Sequence, residues 1–113
     1  MTKSLIVLHA APDATDNRAL TAVRLAGALL ADNKEVSLFL VEDGAKLADP
    51  KLSADNACRG LFYEMMEVGM QVVMCGATMR KMGWEESDLL GVTKGSMKAL
   101  SALMTEADEI VSF

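Results

Sequence analysis

Gln71-Val72-Val73-Met74-Cys75-Gly76-Ala77-Thr78-Met79-Arg80-Lys81 joins two kinds of segment at one cysteine. Gln71 to Cys75 reads as a strand carrying the apolar Val72-Val73-Met74-Cys75, and Gly76 opens a short helical turn through Met82. Upstream, Asp55 or Asn56 caps an amphipathic helix that sets Leu61, Met65 and Val68 inward, turns Glu64 and Glu67 outward and ends at Gly69. Before it, the Ala45 to Asn56 stretch carries Asp49-Pro50 and no clear period, so it reads as a loop over the sheet edge. Val36 to Val41 is a second strand, closed by Glu42-Asp43-Gly44. From Asp16 to Asp32 the stripe Leu20, Val23, Gly27 and Leu30 marks a helix, with Thr15 or Asp16 as its cap and Asn33 as a left-handed stop. Leu5-Ile6-Val7-Leu8 is the opening strand. Downstream, Leu90-Gly91-Val92-Thr93 reads as a very short strand. Ser96 caps a last helix bearing Met97, Leu100, Leu103 and Met104, and Glu109 to Phe113 closes the chain as a strand. Strand and helix alternating in this way specify an α/β fold, a parallel sheet with helices on both faces.

The chain has 113 residues, which is one domain with one core. Eleven basic against sixteen acidic residues leave a net charge of −5. With a pI near 4.7, a broad nucleic-acid-binding face is not expected. Apolar residues make up 51% of the chain and charged residues 24%, which excludes disorder. No apolar run approaches the roughly 18–20 residues of a membrane span, and the N-terminal apolar run is too short for a secretory signal. Two cysteines do not make a disulfide scaffold, and a cytoplasmic protein is the expectation. A domain this small with mean hydropathy +0.23 is expected to form a homo-oligomer, with the 45–56 loop and the methionine-bearing helix as contact surfaces.

In parallel α/β sheets, sites form beyond the carboxyl ends of the strands, and that edge collects His9 with Asp13, Asp43 and Cys75. Cys75 is the leading candidate. It stands where a buried strand turns into a helix N-terminus, whose free N–H groups and dipole favour a thiolate. The competing reading is a small buried apolar residue. Arg80 and Lys81 follow within two turns and add positive potential. Only four residues separate Cys75 from Arg80, one fewer than a phosphatase loop has, and lysine does not replace a two-pronged guanidinium there; sulfur chemistry ranks above phosphoryl chemistry. Cys58, at a helix start, is expected to share the edge with Cys75, near but not bonded, or to be incidental. His9, the only histidine, can serve proton transfer or a structural hydrogen bond. No zinc-ligand spacing, Walker loop or G-x-G-x-x-G occurs. Six of the nine methionines surround Cys75; soft sulfur ligands suit copper(I), but core filling is the stronger reading, and no metal or organic cofactor is expected.

With these pieces in view, the chain resembles the DsrE/DsrF-like sulfur-relay family, closest to its small stand-alone homomeric members. The resemblance spans residues 1–113 as a single domain. It rests on Ala11-Pro12, Arg24-Leu25-Ala26, Phe39-Leu40 through Asp43-Gly44, Val72-Val73-Met74-Cys75, Gly83, Gly91-Val92, Gly95-Ser96-Met97 and Ala107 through Phe113. It implies a three-layer α/β/α domain with a five-stranded, mainly parallel sheet, assembled as a trimer or hexamer. It further implies that Cys75 accepts sulfane sulfur as a persulfide from a donor protein and passes it to a partner's thiol. Two positions depart from some members: Thr78 stands at the second cysteine of C-x-x-C, and Met82 replaces the arginine before Gly83. An internal C-x-x-C disulfide is therefore impossible, and Arg80 is left as the substitute cation, with Thr78 as a hydrogen-bond donor to the sulfur. The rival readings are a module that binds a small ligand or partner, with Cys75 structural, and a Cys58/Cys75 thiol redox switch.

Overall fold

A computed structural model describes all 113 residues. Strands β1 (Lys3–Leu8), β2 (Glu35–Leu40), β3 (Gln71–Cys75), β4 (Val92–Gly95) and β5 (Glu109–Ser112) form one sheet in the order β4-β3-β2-β1-β5. Every pairing is parallel. The crossovers are α1 (Arg18–Ala31), α2 (Ala57–Glu67), α3 (Gly76–Lys81) and α4 (Met97–Glu106).

Side-chain alternation along the strands divides the core in two. Ile6, Leu8, Leu38, Leu40, Val72 and Met74 face one way and pack against Ala19, Ala22, Val23 and Ala26 of α1, Phe62 of α2 and Met79 of α3. Leu5, Val7, Phe39 and Cys75 face the other way, covered by Leu100 and Leu103 of α4. The result is three layers, with three helices on the first face and α4 alone on the second. β1 to β4 step across the sheet in one direction. α4 then carries the chain back over the second face and delivers β5 beside β1.

The helix ends follow from local chemistry. Asn33, at φ 61, adopts the left-handed conformation that asparagine tolerates and stops α1. Asn56 Oδ1 accepts the Cys58 N–H at 2.9 Å to start α2, and Ser96 Oγ accepts the Ala99 N–H at 3.1 Å to start α4. The α1 start differs from expectation. Its N-cap is Asn17, left-handed at φ 57 and without a side-chain cap bond. Asp16 instead accepts the Arg18 N–H and pairs with its guanidinium at 2.6 Å, which holds its carboxyl below the usual range. Thr15 makes no cap.

Two further expectations are corrected. The segment after β2 is no simple loop, because Glu42–Ala48 winds into a 3₁₀ helix whose Ala45, Leu47 and Ala48 are buried in the first-face core. Those side chains serve this chain's own interior and offer no free apolar surface for another. Val68 does not point inward. It lies beyond the last turn of α2 and is 60% exposed, and Phe62 fills the inward place on that helix. No helix is long and apolar enough to cross a membrane.

Candidate functional site

The connections after β3 and β4 leave the sheet on opposite sides: α3 packs on the first face and α4 on the second. Adjacent strands whose connections diverge leave a crevice outside their carboxyl ends, the habitual ligand position of open α/β sheets. Cys75 and Gly95 lie abreast at this place. Cys75 is the last residue of β3 and the N-cap of α3, with φ −59 and ψ 128. It is 8% exposed, packed into the second-face cluster with Phe39 and Val41, and unbonded to any other cysteine.

Glycines flank it on both sides. A Cβ on Gly95 would lie 2.5 Å from Val73 Cγ1, and a Cβ on Gly76 would lie 2.9 Å from Lys94 Cε. Close packing thus favours glycine across the ladder at Gly95, where the β-branched Val73 has little freedom to yield, while at Gly76 the nearest obstacle is the flexible end of Lys94. Neither position supplies a side chain that could cover the sulfur.

The other candidates fall in different places. Cys58 is buried in the first-face core, its Sγ 3.8 Å from the Pro12 carbonyl oxygen, and burial raises its thiol above the ordinary range. Met74 shares that cluster, and Cys75, the next residue, faces the opposite way. The two cysteines therefore sit on opposite faces of the sheet and do not approach as expected, so a disulfide between them would need the sheet layer itself to open. Arg80 and Lys81 occupy the last turn of α3, where their charges suit the helix C-terminus. Arg80 stands five residues from Cys75, about 7.5 Å along the axis at 1.5 Å per residue, at the far end of this short helix. Arg80 lines a cleft of about 360 Å³ with Gly76, Met79, Trp84 and Lys94, among others, and Cys75 is not part of its wall. Thr78 is half-buried within α3. Met70, Met74 and Met79 are buried in the first-face core, with Met65, Met66 and Met82 packed on it, which is the core-filling role.

His9 directly follows β1 on the same rim. Its N–H donates to the Phe113 carbonyl at 2.7 Å, and its half-exposed imidazole places Nδ1 3.8 Å from Glu42 Oε2. Glu42 holds a left-handed backbone, φ 52, a conformation unusual for a residue with its side chain. Asp13 is exposed, and Asp43 is turned to Lys46 at 3.5 Å. Sequence reading gave Glu42 and Gly95 no part in the site. A signal for Gly95 was present in its position at the end of the strand beside Cys75; Glu42 depends on a turn geometry that no local motif announces.

A family model described as the DsrE/DsrF-like family matches residues 3–113. The chain belongs to the DsrE/DsrF-like family. Its relatives include an uncharacterized protein of Methanopyrus kandleri, 32% identical over 96% of this chain and 91% of the relative. Another, from Methanocaldococcus jannaschii, is 30% identical over 98% of this chain and 99% of its own length. Among solved structures, the ychN protein of E. coli superposes with a TM-score of 0.87 at 24% identity, covering 100% of both chains. MTH1491 of Methanobacterium thermoautotrophicum, a protein of unknown function, superposes at 0.78 with 21% identity over 98% and 99%. These likenesses show a DsrE-like fold with a five-stranded parallel sheet along the whole chain.

Proposed function

We propose that this DsrE/DsrF-like protein is a sulfur carrier, with Cys75 as the residue loaded. The observation that supports this best is the position of Cys75 between Gly76 and the tightly packed Gly95, where the β3 and β4 connections diverge. In the transfer step the Cys75 thiolate attacks the outer sulfur of a donor persulfide. A new S–S bond forms on Cys75, the donor's S–S bond breaks, and the donor leaves as a thiolate. The sulfane sulfur moves with no net oxidation, so the step needs no external electron acceptor. A partner thiolate then removes the sulfur by the same exchange. The carrier works as a homo-oligomer, a trimer or hexamer. The exposed Met97, Met104, Ile110 and Val111 on α4 and β5 support self-association.

Mass spectrometry after incubation with polysulfide tests the reading. One sulfur atom should add to the peptide bearing Cys75, and reduction should remove it. Cys75→Ser should abolish loading with the fold intact, while Cys58→Ser should leave loading in place. If native Cys75 takes up no sulfur and labels with alkylating reagents only after unfolding, it is a structural thiol and the carrier reading falls.

A further inference from the structure

We infer that the cleft beside α3 is a binding site for a mononucleotide, with Trp84 stacking on its base and Arg80 and Lys94 holding its phosphate. The inference stands apart from the carrier reading, because Cys75 forms no part of this wall.

One wall is built from the end of α3. Gly83, left-handed at φ 77, stops the helix. Its N–H donates to the Arg80 carbonyl at 3.0 Å, and the Trp84 N–H turns back to the Met79 carbonyl at 2.9 Å. This double closure is the Schellman motif, whose usual companion is an apolar contact between the residue after the glycine and the last turn of the helix. Trp84 accordingly packs, half-buried, on the first-face core to which Met79 belongs, and it lines the cleft with Arg80. The only tryptophan of the chain is thus fixed by backbone hydrogen bonds at its own residue.

The facing wall comes from β4. Lys94 lies abreast of Met74, a first-face residue, and so projects to the side on which α3 packs. Its stem passes over Gly76, where a Cβ would stand 2.9 Å from Lys94 Cε, so the missing side chain gives the lysine its path into the cleft. The Lys94 N–H donates to Glu86 Oε2 at 2.7 Å, which ties the 3₁₀ turn Glu86–Asp88 to the open edge of the sheet and turns that carboxylate toward the backbone. Asp88 Oδ2 accepts the Glu85 N–H at 2.9 Å and tightens the same turn.

Charge decides what fits. The chain carries sixteen acidic residues, yet neither Arg80 nor Lys94 is in an ion pair; those are formed by Lys3, His9, Arg18, Lys34 and Lys46. Glu86 is engaged by the backbone of β4, and the exposed Glu85 is the other carboxylate on the cleft. Two unpaired cations, one a planar fork and one a point charge, match a phosphate dianion better than a single carboxylate. A half-buried indole beside them matches a planar ring. A volume of about 360 Å³ is that of a small-molecule site and admits a base joined to a phosphate through a sugar. A net charge of −5 opposes a longer polyanion, which leaves the single nucleotide.

Titration of the full chain with adenosine monophosphate, read by the fluorescence of its one tryptophan, tests this. Quenching should saturate. Adenosine and inorganic phosphate should each bind at least about tenfold more weakly, since one lacks the charge and the other the stacking ring. Arg80→Gln and Lys94→Gln should each weaken binding about tenfold, and both positions are exposed, so the fold survives. Trp84→Leu, followed by calorimetry, should show a loss of similar size. Glu85→Gln should tighten binding by removing an opposing charge, and Arg59→Gln, on a different cleft, should leave it unchanged. Cys75→Ser should bind the nucleotide as the wild type does, which keeps this result separate from sulfur loading. No quenching at millimolar nucleotide, equal binding of phosphate alone, or unchanged affinity in both cation variants would each overturn the inference and leave the carrier reading intact.

Discussion

Single residues in this chain act through the space they leave. Gly44 and Gly60 make a controlled pair. A methyl on Gly44 meets the Leu8 backbone, which cannot yield, whereas a methyl on Gly60, inside α2, meets nothing within 4 Å. Gly44→Ala should destabilise by about 3 kcal/mol, the upper end for overpacking, and Gly60→Ala should stabilise by about 0.5–1 kcal/mol through helix propensity. Urea denaturation of the two variants checks both signs. Cys58 gives a prediction in pH. Burial raises its thiol in the folded chain, so folding favours the protonated form. That contribution is complete below the unfolded thiol's pKa of ~8.5 and is lost as pH rises through the higher folded value. Stability should therefore fall more steeply between neutral and alkaline pH in the wild type than in Cys58→Ala, as chemical denaturation at a series of pH values would show. At this scale the sequence was partly legible. Cys75 stood out because a strand, a glycine and a helix meet there, but the partition of the two cysteines between faces required pairing Met74 with Cys58 through the fold. Glu42 was hidden because its left-handed backbone is imposed by the contact of Gly44 with β1, not by its own residue type.

Elements differ in how much tertiary support they have, and their caps matter accordingly. α2 buries Cys58 and Phe62, while α4 has no fully buried residue and rests on half-buried Leu100 and Leu103. Each begins with a side-chain cap, Asn56 and Ser96. Ser96→Ala and Asn56→Ala should each cost about 1 kcal/mol. Hydrogen exchange should nevertheless show the first as local opening of α4 and the second as a change shared with the first-face core, because only α2 is anchored in it. The strands were legible as elements because a parallel sheet covered on both sides requires short unbroken apolar runs, as in Leu5 to Leu8 and Val72 to Cys75. The 3₁₀ helix at Glu42–Ala48 was not legible. Its seven residues give too few turns for a period to register, and its buried side chains are mostly small alanines. Val68 was misplaced by extending the α2 stripe beyond Glu67, the last residue that the backbone keeps helical.

At the scale of the whole molecule the second face is the thinner side. α4 covers its centre, and beyond it Met97 is 55%, Met104 47% and Ile110 48% exposed. Light scattering at micromolar concentration should return a mass of several chains, and Met104→Glu with Ile110→Glu should shift it toward one chain by placing charges in the apolar patch. A single-chain mass for the wild type would reject the assembly. The sheet order has a separate consequence for how the protein is made. Ser4 reaches Glu109 across 105 positions, and β5 is the strand that closes the outer edge of β1. During synthesis at about 5–20 residues per second, β1 waits roughly 5–20 s for that neighbour. Its other edge finds β2 early, so the nascent sheet can grow from β1 to β4 while one row of peptide groups stays open. A ribosome halted before Glu109 would hold a nearly finished sheet whose oldest strand is still adhesive, and it is there that a chaperone would have to stand guard.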